Sequence, residues 1–136
     1  MRNVILLLIA VVLLPLACDK ENHPNIPYVY VNEMLFPNTL DFLNVSGYKY
    51  VNAGYRGIVV YRLSMDEFTV FERCCPYDPE NPNARIIVDP NNLTATDTCC
   101  NSTFSLLDGI PVSGPSPYAL LPYSHSYDGE RLYINN

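Results

Sequence analysis

Tryptophan is missing from this chain of 136 residues, histidine occurs only at His23 and His125, and charged residues make up just 16%. With so few imidazoles, one of them in a polar N-terminal stretch, no Ser-His-Asp or Cys-His constellation has a local signature. A glycine-rich loop that could cradle phosphate is absent as well. The net charge of −6 leaves no basic footprint for nucleic acid. Helix formers in periodic runs are also wanting. What the chain does hold is proline (12), tyrosine (11) and a hydrophobic share of 49%, part of it in an N-terminal run. That mixture reads as a short-stranded, turn-rich β protein, and the length suits one domain around a modest core.

The N-terminus reads as an address. Arg2, an apolar stretch from Val4 to Leu14 and then Pro15-Leu16-Ala17-Cys18 follow the order of an export signal. The stretch is too short and one-sided for a membrane span. A cysteine directly after the small residue resembles the lipobox of bacterial lipoproteins, which implies cleavage before Cys18 and lipidation of its thiol. An ordinary secreted signal peptide or an uncleaved anchor is the alternative. Acyl burial contributes about 0.8 kcal/mol per methylene, so two or three chains hold a protein on a membrane permanently. Loss of residues 1–17 removes Arg2 and leaves 7 basic against 14 acidic residues, a charge of about −7, so basic contacts to lipid are not the anchor. Asp19-Lys20-Glu21-Asn22 resembles the short signal of Bacteroidetes surface lipoproteins, which points to the outer membrane or cell surface. Residues 18–27, with His23, Pro24 and Pro27, form a tether without periodicity, and the β domain spans 28–136.

Along that domain, Tyr28/Tyr30 against Val29/Val31 alternate as a first strand ending near Pro37. Leu40, Phe42 and Leu43 open a segment continued by the strand Tyr48-Lys49-Tyr50-Val51, and Ala53-Gly54 and Gly57 mark turns. Ile58–Leu63 and Phe68–Arg73, separated by Ser64-Met65-Asp66-Glu67, form the clearest hairpin, whose second strand leads straight into Cys74. Three prolines between Pro76 and Asn83 exclude regular structure there. Arg85–Val88 and Leu93–Thr96 make a smaller hairpin that returns the chain to Cys99. Beyond Phe104, Asp108-Gly109 and Asp128-Gly129 are turns, Leu120, Leu121 and Tyr123 rejoin a sheet, and Leu132-Tyr133-Ile134 is the last strand.

Two vicinal pairs, Cys74-Cys75 and Cys99-Cys100, thus sit on two loops. Followed by Asn101-Ser102-Thr103-Phe104, Asp108-Gly109 and Gly114-Pro115-Ser116-Pro117, they resemble a Rieske domain from about Gly57 onward. The resemblance implies an all-β fold, a Rieske-like stack of small antiparallel sheets with a two-loop cysteine subdomain and a proline loop over it. A Rieske centre binds 2Fe-2S through Cys-x-His and Cys-x-x-His loops. Cys75 stands at the first Cys and Tyr77 at the first His. With Ser102 and Phe104 matched to the end of the second loop, Asp97 stands at the second Cys, Cys99 at the family's disulfide cysteine and Cys100 at the second His. Sliding the frame so that Cys99 is the ligand puts Ser102 at the His. Neither frame contains a histidine, and a phenol with a pKa of about 10 substitutes poorly. His125 has no motif around it and is expected at the surface or a strand end.

The four thiols leave several outcomes open. They could ligate a 2Fe-2S cluster by cysteine alone, or zinc, although neighbouring residues of an extended backbone point apart. Disulfides persist outside the cytoplasm, and the resemblance implies a bridge between the loops. Closing a loop of about 25 residues stabilises by about 3 kcal/mol. Vicinal pairing is strained, so bridges are expected between loops, Cys75 with Cys100 first and Cys74 with Cys99 second, without metal. Asp78, Glu80, Asp89 and Asp97 could bind calcium but are expected as a solvated rim. Phe104, where the family buries an aromatic, should share a core with Phe68, Phe71 and Leu120. The expected function is a membrane-anchored, cofactor-free structural or interaction module with no catalytic residue and an envelope protein as partner. The alternative is an electron-transfer protein whose 2Fe-2S cluster sits on Cys74, Cys75, Cys99 and Cys100.

Overall fold

The computed structural model describes residues 26–39 and 44–136. The leader, Cys18, His23, most of the tether and Leu40, Phe42 and Leu43 lie outside the described residues. Regular structure among the described residues is all β: ten short strands in three antiparallel sheets, with one 3₁₀ turn at Pro37–Thr39 and no α-helix. One sheet orders β1 (Asn32–Leu35), β10 (Leu132–Asn135) and β9 (Ser124–Tyr127). A second orders β2 (Tyr48–Val51), β3 (Ile58–Arg62) and β4 (Phe68–Glu72). The third has four strands, β5 (Ile86–Val88), β6 (Thr94–Asp97), β7 (Thr103–Ser105) and β8 (Pro111–Ser113).

Strand β3 explains how the sheets stack. All five of its residues are buried, as its near-continuous apolar run requires of a strand covered on both faces. Because successive side chains alternate, Val59 and Tyr61 point into a core with Phe71, Cys75, Ile86, Phe104, Leu106 and Leu120. Ile58 and Val60 point into another, with Val31, Phe68, Val70, Tyr123, Leu132 and Ile134. Phe68 and Phe71 stand three residues apart in one strand and so face opposite ways, and Phe68 does not share the Phe104 core as the sequence suggested. Tyr50 and Arg73 connect the second sheet to the third. The Tyr50 hydroxyl accepts from Val88 N at 2.9 Å, and the Arg73 guanidinium stacks 3.6 Å from the Tyr50 ring while donating to Ile86 O.

The first strand begins later than its alternation indicated. Partner β10 ends at Asn135, paired with Asn32, so no ladder remains for Tyr28 to Val31. The Asn136 side chain serves them instead, accepting from Val31 N at 3.1 Å and donating to Val29 O at 2.8 Å. Tyr28 and Tyr30 are exposed. Strands β8 and β9 escaped the sequence reading because Pro-Val-Ser and Ser-His-Ser-Tyr carry no alternation; pairing with β7 and β10 makes them strands.

Phe104 is fully buried in the core that underlies the cysteine loops. Phe104→Ala should destabilise the domain by about 3 to 5 kcal/mol in chemical denaturation. A loss below about 1 kcal/mol would show that the ring is not packed as described.

Candidate thiol and metal site

The first cysteine loop grows out of the end of β4. Glu72, fully buried, accepts hydrogen bonds from the backbone N–H groups of Tyr55, Arg56 and Cys74 at 2.8, 2.8 and 3.0 Å and from the Tyr123 hydroxyl at 2.8 Å. Arg56, so placed, donates to Pro79 O at 3.0 Å and Pro82 O at 2.7 Å, clamping the proline-rich segment after the cysteines. A bridge between Cys74 and Arg85, with Cys75 N donating to Ala84 O at 3.2 Å, closes the loop at its base.

The second loop is a tight knuckle between β6 and β7. Asp97 N donates to Ser102 O and Asn101 N to Asp97 O, with Asn101 in the left-handed region at φ 58°. The proline loop packs directly on it. A Cβ at Gly114 would lie 2.4 Å from Ser102 Cα, so only glycine allows this approach. Ser116 N then donates to Ser102 Oγ at 3.0 Å.

These loops bring three donors together. Cys75 Sγ lies 3.6 Å from Cys100 Sγ, Cys100 Sγ donates to Asp97 Oδ2 at 3.3 Å, and the donor atoms of Cys75, Asp97 and Cys100 all lie within 4.8 Å of one another. Cys75 and Asp97 are buried, Cys100 partly so. Cys99 N donates to Asp97 Oδ1 at 3.0 Å, and Asp97 makes no ion pair among the described residues. Outside the trio a cleft of about 320 Å³ is lined by Tyr77, Asp78, Asn81, Asp97, Cys99, Cys100 and Pro115. The frame anchored on Ser102 and Phe104 had put Cys75, Tyr77, Asp97 and Cys100 at the four ligand positions, and all four border this site.

The other expected residues go elsewhere. Buried Cys74 turns its sulfur to Cys75 O and Pro79 O, at 3.8 and 3.9 Å, while Cys99 is exposed, and neither joins the converging donors. The four cysteines therefore do not converge as one group; Cys75 and Cys100 converge with Asp97 instead. The acidic residues form no shared rim: Asp97 is buried, Asp89 accepts from the Thr94 and Thr96 hydroxyls, and Asp78 and Glu80 are exposed. His125 lies exposed on β9, outside the group. Glu72 and Arg56 are the positioning residues the sequence did not mark. An acidic residue ending an apolar strand, as Glu72 does, was the one available hint.

Burial pushes the Cys74 thiol up to about 11 against the partial relief of Arg56. It drives Cys75 further up, and hydrogen bonding with Asp97 and Cys100 adds to the rise. A thiol whose folded pKa exceeds its unfolded value of about 8.5 contributes stability below that pH and loses it above. The reduced domain should therefore lose stability as pH rises from about 8.5 through 11, measured by denaturation at a series of pH values. Alkylation below that window should mark Cys99 first and reach Cys74 and Cys75 only on unfolding. Equal labelling of Cys74 and Cys99 would mean that the loops open.

No protein-family model matches this sequence, and no curated protein does. Solved structures do. The ferredoxin of carbazole 1,9a-dioxygenase from Nocardioides aromaticivorans IC177 aligns over 79% of this chain and 97% of its own, with 14% identity and a TM-score of 0.51. A complex of reduced oxygenase and oxidized ferredoxin in carbazole 1,9a-dioxygenase contains a chain that aligns over 80% of this one and 94% of its own, with 16% identity and a TM-score of 0.52. At such identities the likeness is one of fold, and the fold is the all-β, Rieske-like stack of small antiparallel sheets.

Proposed function

We propose that this chain is an electron-transfer-related domain of the cell envelope, held on a membrane through lipidated Cys18, with a metal centre at the tips of its two cysteine loops. The observation that carries it is the convergence of Cys75, Asp97 and Cys100 within 4.8 Å at the two-loop tip of a fold shared with ferredoxins. When bound, the metal would supply the redox chemistry. The chain's own residues do the rest. Cys75, Asp97 and Cys100 would hold the ion, the Arg56 clamp and the Gly114 contact fix the loops that carry them, and Leu106, Phe104 and Ile86 exclude water from beneath. Exposed Tyr77, Cys99 and Pro115 leave one side of the site at the surface, where a partner can approach.

A second reading rests on the 3.6 Å approach of Cys75 and Cys100. A disulfide needs about 2.05 Å between sulfurs, within reach of a small side-chain rotation. So bridged, the domain would be a cofactor-free module with locked loops, the 25-residue span between the two cysteines closed. Deep burial of Cys75 would make such a bond slow to exchange.

Protein purified without oxygen should contain iron, absorb visible light and bleach reversibly on reduction. Colourless, iron-free protein whose Cys75 and Cys100 resist alkylation even when unfolded until reductant is added would overturn the metal centre in favour of the bridge. Separately, Cys18→Ala should leave the domain folded but release it from membranes; wild-type protein with no lipid by mass spectrometry would refute the anchor.

A further inference from the structure

The shape of the donor set says more about its occupant. We propose that Cys75, Asp97 and Cys100 form a site for a single thiophilic divalent cation, iron or zinc, with its fourth position facing the cleft beside Tyr77. The inference rests on the metal reading above and specifies one ion in place of a two-iron cluster.

Geometry comes first. Two sulfurs at about 2.3 Å from a tetrahedral ion stand about 3.8 Å apart, and Cys75 and Cys100 stand at 3.6 Å. In a two-iron cluster with the same frame, Cys75 and Cys100 would serve different irons and could not approach so closely. Cys100 Sγ and Asp97 Oδ2 stand 3.3 Å apart, and all three donors fall within 4.8 Å of one another.

Charge comes second. Asp97 is only 1% exposed and meets the N–H of Cys99 and the S–H of Cys100, with no cationic side chain in ion-pair reach among the described residues. A buried carboxylate without a countercharge is costly, and a dication bound to two thiolates and one carboxylate removes that cost. As the two metal–sulfur bonds form, the two S–H protons leave to solvent, and no electron changes hands.

Orientation comes third. The backbone N–H of Ser102 faces the sulfur of Cys100 at 3.4 Å. Ser102 Oγ, fixed by Ser116 N of the proline loop, lies 3.1 Å from Cys100 Sγ and holds that side chain in place. Asp97-x-x-Cys100 puts both donors on one knuckle closed by Asn101 N to Asp97 O, the arrangement that suits a pair of ligands to one ion.

The full-length protein in detergent, reduced without oxygen, should take up Co²⁺ to a single equivalent, with sulfur-to-cobalt charge-transfer absorption and the visible bands of a tetrahedral site. Cys75→Ser or Cys100→Ser should abolish the charge-transfer band or halve it. Asp97→Asn, which keeps the shape and the Cys99 N–H contact, should weaken binding by more than about tenfold, the low end for groups that merely orient a ligand. Cys74→Ser and Cys99→Ser should leave stoichiometry unchanged, and circular dichroism of each variant separates lost ligation from lost fold. Two irons with inorganic sulfide would overturn the single-ion site and leave the metal reading intact. No uptake by natively folded, reduced protein would overturn both. Uptake of redox-inert zinc alone would uphold the site and defeat electron transfer. Loss of binding in folded Cys74→Ser or Cys99→Ser, with Asp97→Asn unaffected, would overturn the ligand set.

Discussion

The buried carboxylate of Glu72 is the constraint on which the rest of this domain depends. A carboxyl side chain with no exposure is costly in an apolar core unless its oxygens are met, and here three backbone N–H groups and one phenol meet them. The four donors come from three pieces of structure: the turn after β2, the start of the first cysteine loop and the residue just before β9. The turn can come this close only because residue 54 is glycine, at φ 74°, where a Cβ would fall 2.6 Å from a Glu72 oxygen. One side chain therefore sets where Arg56 stands, and Arg56 in turn sets the loop that carries Cys75.

The site is held from three sides. The Arg56 clamp fixes the first loop, the backbone knuckle at Asp97 to Ser102 fixes the second, and the proline loop presses on that knuckle through Gly114 and Ser116. Beneath them lies the core of Phe104, Leu106 and Ile86. Donors held so firmly favour a defined coordination sphere, and a low-dielectric floor makes their unmet charge more costly.

The Rieske-like fold is kept here, with two cysteine loops and a proline loop packed on the second. On the frame anchored at Ser102 and Phe104, the resemblance implies that Tyr77 and Cys100 stand where the family has histidine. A sulfur brought in from the second loop lies near the sulfur of the first, and a carboxylate lies between strand and knuckle. Thiolate and carboxylate donors keep more negative charge on a bound ion than imidazole does, which favours its more oxidised state.

Much of this was readable from the chain alone. The β3–β4 hairpin, the glycine turns at Gly54, Gly57 and Gly109, the irregular proline segment and the order of the two cysteine loops depend on local rules: alternation, positive φ and the missing N–H of proline. The resemblance to a Rieske domain, not those rules, put Cys75, Tyr77, Asp97 and Cys100 at four positions that border one site. Local rules do not reach across the chain. Where β1 begins follows from where β10 ends, β8 and β9 are strands because their neighbours are, and Phe68 and Phe71 part company because β3 and β4 are covered on both faces. The same holds for the cysteines. Vicinal residues point apart, but which of each pair faces the other loop was decided by packing 25 residues away, which turned Cys75 and Cys100 together, sent Cys74 toward Pro79 and left Cys99 in solvent.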